Sequence, residues 1–143
     1  MQPTPNPEAA MSQPLSILIA EDVGMAGELL RVIAEKAGAS VAAMVADGER
    51  AVEAFREHHP DIVLLDMFMP KKNGLQVLSE IRELDPEAFI VLISAEAPMS
   101  RIKQAHELGA QAFLVKPVRL SQVQALMDKC RRIQPAARGR SRP

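Results

Sequence analysis

Residues 60–74 read PDIVLLDMFMPKKNG, and the rest of the chain can be built outward from them. Four consecutive apolar residues, Ile62 to Leu65, are long enough for a strand covered on both faces and too short for a helix. The run ends on Asp66. The turn-forming sequence Met69-Pro70-Lys71-Lys72-Asn73-Gly74 separates it from helical periodicity that resumes at Leu75. An acid at the carboxyl end of a buried parallel strand stands on the sheet rim where open α/β folds place their ligands. Taken alone, the stretch allows a second reading, in which Asp66 only ends a strand and caps a turn.

On either side the same unit recurs. Upstream, an apolar strand over 15–20 ends on Glu21-Asp22. Ala26, Leu29, Leu30, Ile33 and Ala37 then recur at helical spacing until Gly38. A weaker strand over 41–45 turns through Asp47-Gly48 into a helix carrying Val52 and Phe55, which Pro60 closes. Downstream, Val77, Leu78, Ile81 and Leu84 mark a helix ended by Asp85-Pro86, and an apolar strand over 89–93 ends on Ser94. A helix over 99–108 and Gly109 lead to a strand over 112–115, which ends on Lys116-Pro117. A helix over 120–133 follows, with Cys130 on an apolar stripe with Leu120, Val123 and Met127, so the thiol is expected to be buried. Five strands alternating with five helices call for a parallel sheet with helices on both faces and right-handed crossovers. Parallel strands deliver their carboxyl ends to one edge. Glu21, Asp22, Asp66, Ser94 and Lys116 should therefore meet on one rim.

Composition narrows the functional classes. The chain's 143 residues suit one domain with its own core. Having four Phe and neither Trp nor Tyr, it offers poor stacking platforms for flavins or single-stranded nucleic acid. A single cysteine excludes a disulfide framework and a thiolate metal site. No apolar run reaches the length of a membrane span and no signal-peptide pattern opens the sequence, so a cytoplasmic location is the default expectation. Residues 1–14, with Pro3, Pro5, Pro7 and Pro14, read as a disordered leader. Arg138, Arg140 and Arg142 sit among Pro, Ala, Gly and Ser in a basic flexible tail over 134–143. Such a tail is either a solvated end or an arm for nucleic acid or anionic lipid. With Arg131 and Arg132 it concentrates positive charge at the end of the chain and leaves the body acidic, which suits a site that collects a cation. His58, His59 and His106 lie in no metal-ligand or phosphohistidine pattern and read as surface residues.

The rim has a chemical logic. Three carboxylates held together repel one another and need a cation. All-oxygen donors without nearby Cys or His favour a hard ion, Mg²⁺ or alternatively Mn²⁺. A metal and a lysine together neutralise a phosphoryl group, a serine hydroxyl can bond one of its oxygens, and a neighbouring carboxylate can form an acyl phosphate.

The motifs ILIAEDV, DIVLLDMFMPKKNG, VLISAEAP and AFLVKP, in this order and spacing, resemble the response-regulator receiver domain of two-component signalling, over about residues 15–133. The resemblance implies a flavodoxin-like (βα)5 fold, a doubly wound parallel five-stranded sheet of order 2-1-3-4-5. It implies that Asp66 accepts phosphate from a histidine kinase or a histidine phosphotransfer protein. Asp22, Asp66 and the Phe68 backbone carbonyl would hold Mg²⁺, with Glu21 contributing through water. Ser94 and the Ala95 amide would bind phosphoryl oxygens, Lys116 would pair with the phosphorylated group, and the Lys116–Pro117 bond would be cis.

Several positions depart from the commoner pattern. Ser94 stands for the more usual Thr. Phe113 occupies the switch position often held by Tyr; it is either a switch that turns inward on phosphorylation or a core phenylalanine. Phe68 is larger than many occupants of its position and could shield an acyl phosphate, while Glu96 could influence the approach of water. No DNA-binding or catalytic output domain is expected within these residues. The protein would signal by phosphorylation-dependent binding to another protein or to itself as a dimer, as a phosphoacceptor and not an enzyme; alternatively the chain is a receiver cut from a longer regulator. A haloacid-dehalogenase-type phosphatase would want a second acid where Phe68 stands. A flavodoxin-like electron carrier would want a hydroxyl-rich phosphate loop, whereas Glu21-Asp22-Val23-Gly24 repels phosphate. An unphosphorylated docking module would have no use for the acids and lysine.

Overall fold

Each apolar run forms a strand, and each amphipathic stretch a helix laid back across the sheet. The computed structural model describes residues 14–133. The strands are β1 (Ser16–Ala20), β2 (Ser40–Val45), β3 (Ile62–Asp66), β4 (Ile90–Ser94) and β5 (Ala112–Val115). The helices are α1 (Gly24–Lys36), α2 (Gly48–His58), α3 (Gly74–Leu84), α4 (Met99–Glu107) and α5 (Leu120–Ile133). The strands make one parallel sheet in the order β2-β1-β3-β4-β5. This is the doubly wound flavodoxin-like arrangement expected from the sequence.

Burial follows position in the sheet. All of β3 and β4 is buried, which is why these strands read as unbroken apolar runs. Alternate residues serve opposite faces: Leu18, Val63 and Leu92 pack on one side with Val52, Phe55 and Leu78, beneath α2 and α3. Ile17, Leu64 and Val91 pack on the other with Leu30, Val123 and Cys130, beneath α1 and α5. The edge strands β2 and β5 are only half-buried, and β2 carries an irregularity where Ala42 interrupts the register between Val41 and Ala43.

The helical stripes are narrower than periodicity suggests. Leu29, Leu84 and Leu120 stand on their expected helices but are 53%, 44% and 38% exposed, at the flanks of the buried face. Cys130 is fully buried and the three histidines are exposed, as expected. His59 ends α2 with a left-handed φ of 46°. Among the described residues, no helix is long and apolar enough to cross a membrane. Apart from Pro14, the expected leader and tail lie outside the described residues.

The loop between β3 and α3 matters most for the rim, and α3 is started firmly. The Asn73 side chain accepts from the Gln76 amide at 2.9 Å while the Gln76 side chain accepts from the Asn73 amide at 2.8 Å. This reciprocal cap satisfies two amides that the first turn would otherwise leave without partners. Asn73→Ala is expected to cost about 1 kcal/mol, read as a fall of a few degrees in Tm. An unchanged Tm would show that the helix start is held by the loop alone.

Candidate functional site

The carboxyl ends of β1, β3, β4 and β5 come together on one rim, and each brings its expected side chain. Glu21 directly follows β1, its amide donating to the Val45 carbonyl at 3.0 Å on the neighbouring strand. Asp66 and Ser94 are themselves the last residues of β3 and β4, so the strands fix both backbones. Lys116 follows β5, and its amide donates to the Ser94 carbonyl at 2.9 Å. The Lys116–Pro117 peptide is cis.

Glu21, Asp22 and Asp66 each offer a carboxylate oxygen, and the three oxygens lie within 4.8 Å of one another. Glu21 and Asp66 are both only 5% exposed, whereas Asp22 faces solvent. The Lys116 ammonium lies 2.7 Å from Glu21 Oε1 and 3.5 Å from Asp66 Oδ2. Lysine therefore sits closer to Glu21 than to Asp66, a preference no spacing in the sequence reveals. The Phe68 amide approaches Asp66 Oδ1 at 3.4 Å, which orients the carboxylate from the side of its own loop.

Electrostatics divide the two buried acids. Burial pushes the Asp66 carboxyl up, and the hydrogen-bonded, negatively charged Glu21 pushes it the same way. Lys116 and the Phe68 amide oppose them, and the outcome is about 6. Burial also acts against ionisation of Glu21, but its hydrogen bonds to Asp66 and Lys116 and the lysine's charge hold it below the usual carboxylate range. Lys116 is disfavoured as a cation by burial, yet Glu21 and Asp66 hold its pKa above the ordinary value. With all three acids ionised, the ammonium balances one carboxylate and leaves two negative charges. That surplus and the all-oxygen donor set fit one hard divalent cation.

The remaining expected residues divide by position. Ser94 is fully buried, and its Oγ accepts from the Glu96 amide at 3.3 Å. Ala95 and Glu96 are exposed in the loop that follows. Phe113 is paired in register with Leu92 and half-buried against the core beneath α2 and α3. Phe68 is 57% exposed, and the Arg101 guanidinium carbon stands 4.9 Å from its ring centroid. Sequence reasoning did not single out Arg101. On another flank a cavity of about 300 Å³ opens between α1 and the loop leaving β5, lined by Leu29, Ile33, Ile93 and Pro117 together with Glu21 and Lys116.

Residues 17–128 match the family model described as response regulator receiver domain. The chain is 37% identical over 113 residues to the chemotaxis protein CheY of Thermotoga maritima, covering 79% of this chain and 94% of that one. It is 34% identical over 121 residues to the transcriptional regulatory protein MalR of Bacillus subtilis, covering 84% of this chain but 52% of that longer protein. Among solved structures, it resembles a CheX-CheY-BeF3-Mg+2 complex from Borrelia burgdorferi with a TM-score of 0.77 and 34% identity, over 81% of this chain and 88% of that one.

Proposed function

This chain belongs to the response regulator receiver domain family, and from that premise we propose that Asp66 is its phosphoacceptor, loaded with the help of Mg²⁺ by a phosphohistidine donor. The observation that carries the proposal is the cluster of three carboxylate oxygens within 4.8 Å of one another beside a single lysine. Of the three acids, Asp66 alone ends its own strand, beside the β4 strand that ends on Ser94, while Glu21 and Asp22 are neighbours suited to holding an ion.

In this reading the ionised Asp66 carboxylate attacks the phosphorus of a phosphohistidine. The new P–O bond forms as the P–N bond breaks, and the electron pair returns to the imidazole. Asp22, Asp66 and the Phe68 carbonyl would hold Mg²⁺, or Mn²⁺ in its place, with Glu21 supporting them through water. The ion would neutralise phosphoryl oxygens as charge shifts onto them. Ser94 Oγ and the Ala95 amide would bond those oxygens, and Lys116 would exchange part of its contact with Glu21 for the new anion. The donor is a histidine kinase or a histidine phosphotransfer protein, and the output is binding to a second protein. Phe113 would turn inward as Ser94 moves toward the phosphoryl group, reshaping the face formed by α4, β5 and α5.

Acetyl phosphate with Mg²⁺, followed by intact mass, tests the core of this reading. One phosphoryl group should be gained, and none when the metal is chelated. A protein that gains none in the presence of Mg²⁺ is not a phosphoacceptor of this kind. Asp22 is exposed and therefore removable with little cost to the fold. Asp22→Ala should lower Mg²⁺ affinity by roughly tenfold or more, at least the loss seen when supporting residues around a metal are removed. Unchanged affinity by titration would place the ion elsewhere.

A further inference from the structure

The two flanks of the acceptor differ. Toward α1, the Glu21–Lys116 side opens into the cavity beside Leu29 and Pro117. Toward α4, two loops are joined. Phe68 stands two residues beyond Asp66 on the loop leaving β3, and Arg101 lies in the first turn of α4, beyond the loop leaving β4. β3 and β4 are paired neighbours, with Asp66 opposite Ile93, so these two loops rise side by side from the strand ends that carry Asp66 and Ser94. The guanidinium lies over the ring at 4.9 Å and joins them. Phe68 packs in neither hydrophobic core and is more than half exposed, so its ring is not placed by the demands of the interior. Its position is set by its short tether to Asp66, through the amide contact at 3.4 Å, and by the stacked arginine.

We propose that Arg101 is a positioning residue that holds the Phe68 ring as a cover on the α4 side of Asp66, and so prolongs the life of a phosphoryl group carried there. The inference rests on the phosphoacceptor function proposed above. Loss of that group is hydrolysis. A water oxygen bonds to phosphorus, the bond from phosphorus to Asp66 breaks, the electron pair returns to the carboxylate, and of the water's two protons one leaves with inorganic phosphate and the other passes to solvent. An aromatic face over the acceptor excludes the attacking water from one side. A ring held by a guanidinium does so for a larger fraction of the time than a free ring. A stack of this kind at a part-exposed site changes the held population by roughly two- to fivefold. Arg101 acts through the ring and touches no reacting atom.

The test is a double-mutant cycle on the 143-residue chain loaded with acetyl phosphate and Mg²⁺, with decay of the phosphorylated mass followed after the donor is removed. Arg101→Ala should shorten the lifetime about two- to fivefold, in line with the stack's effect on the held population. Phe68→Ala should shorten it at least as much, and the double variant no further than Phe68→Ala alone. Arg101→Lys, which retains a cation, should recover part of the loss, and Tm should change little across the series. An unaltered lifetime in Arg101→Ala overturns the proposal. So does a shortening that persists in the Phe68→Ala background, since the arginine would then act through its own charge or through the fold. The stack itself is read without phosphate, as an upfield ring-current shift of the Arg101 side-chain protons that Phe68→Ala removes. Absence of that shift overturns the proposal even if the protein proves not to accept phosphate. Failure of wild type to load, with the shift present, overturns both the acceptor function and the protective role of the stack.

Discussion

Asp66→Asn is expected to abolish phosphoryl uptake and, without metal, to make the protein more stable near neutral pH. The first effect follows from removal of the proposed nucleophile. The second follows from the acid's situation: burial and the adjoining Glu21 raise its pKa from the ordinary 3.8 to about 6. Between those two values the folded state binds more protons than the unfolded state, so stability falls as pH rises through the window and the penalty is complete above about 6. A shift of this size corresponds to an order of 2–3 kcal/mol, an upper figure because Lys116 and Glu21 share the proton balance with Asp66. Asparagine is neutral at every pH in question and can still hydrogen-bond to Glu21. In chelator, the melting temperatures of wild type and variant should lie close together near pH 4 and separate, variant higher, by pH 7.5. Mg²⁺ should raise the wild-type value more than the variant's, because its site holds the extra negative charge. A variant that is less stable than wild type at pH 7.5 in chelator would mean the carboxylate is welcomed by its surroundings. Normal phosphoryl uptake by the variant would move the acceptor elsewhere.

That carboxylate was legible in the sequence because its strand is covered on both faces. A run such as Ile62 to Leu65 has no polar alternation to obscure its end, and Asp66 is the first ionisable side chain after it. The same reasoning located Glu21, Ser94 and Lys116, since parallel strands share one carboxyl edge. Strand order came from the family resemblance, because periodicity says which residues are buried and not which strand is a neighbour. Leu29, Leu84 and Leu120 show a related limit: helical spacing marks the centre of a buried stripe better than its width. The pairing of Lys116 with Glu21 and the stacking of Arg101 on Phe68 depend on ångström-scale approach between segments remote in sequence. Neither leaves a pattern in the sequence that periodicity or motif reading could find.

Gly74 shows a residue whose type was visible and whose reason was not. Beside Asn73 it reads as a turn residue, but its φ is not in the left-handed region, so backbone freedom is not what selects it. Space selects it. A Cβ at this position would stand 2.7 Å from the Asp66 carbonyl oxygen and 2.9 Å from Met67 Cα. Both atoms belong to the backbone that carries Asp66 or follows it directly, and the Gly74 amide already donates to the Met67 carbonyl at 2.7 Å. The loop thus returns to lie against the very peptide from which it left. Gly74→Ala must push the start of α3 away from the end of β3, and neither side ends in a flexible side chain that could yield. The expected cost is about 1–3 kcal/mol, as for other overpacked sites. Mg²⁺ affinity and phosphorylation rate should both fall, because the displaced segment includes Asp66 and Phe68. Gly24→Ala is the control: nothing lies within 4 Å of its added methyl group at the start of α1. It should be neutral or stabilise by up to about 1 kcal/mol. If Gly74→Ala matched Gly24→Ala in Tm and in Mg²⁺ affinity, the close return of the loop would not be what holds Asp66 in place. Loss of affinity with only a small change in Tm would show the opposite: the contact matters more for the geometry of the loop that follows Asp66 than for the strength of the fold.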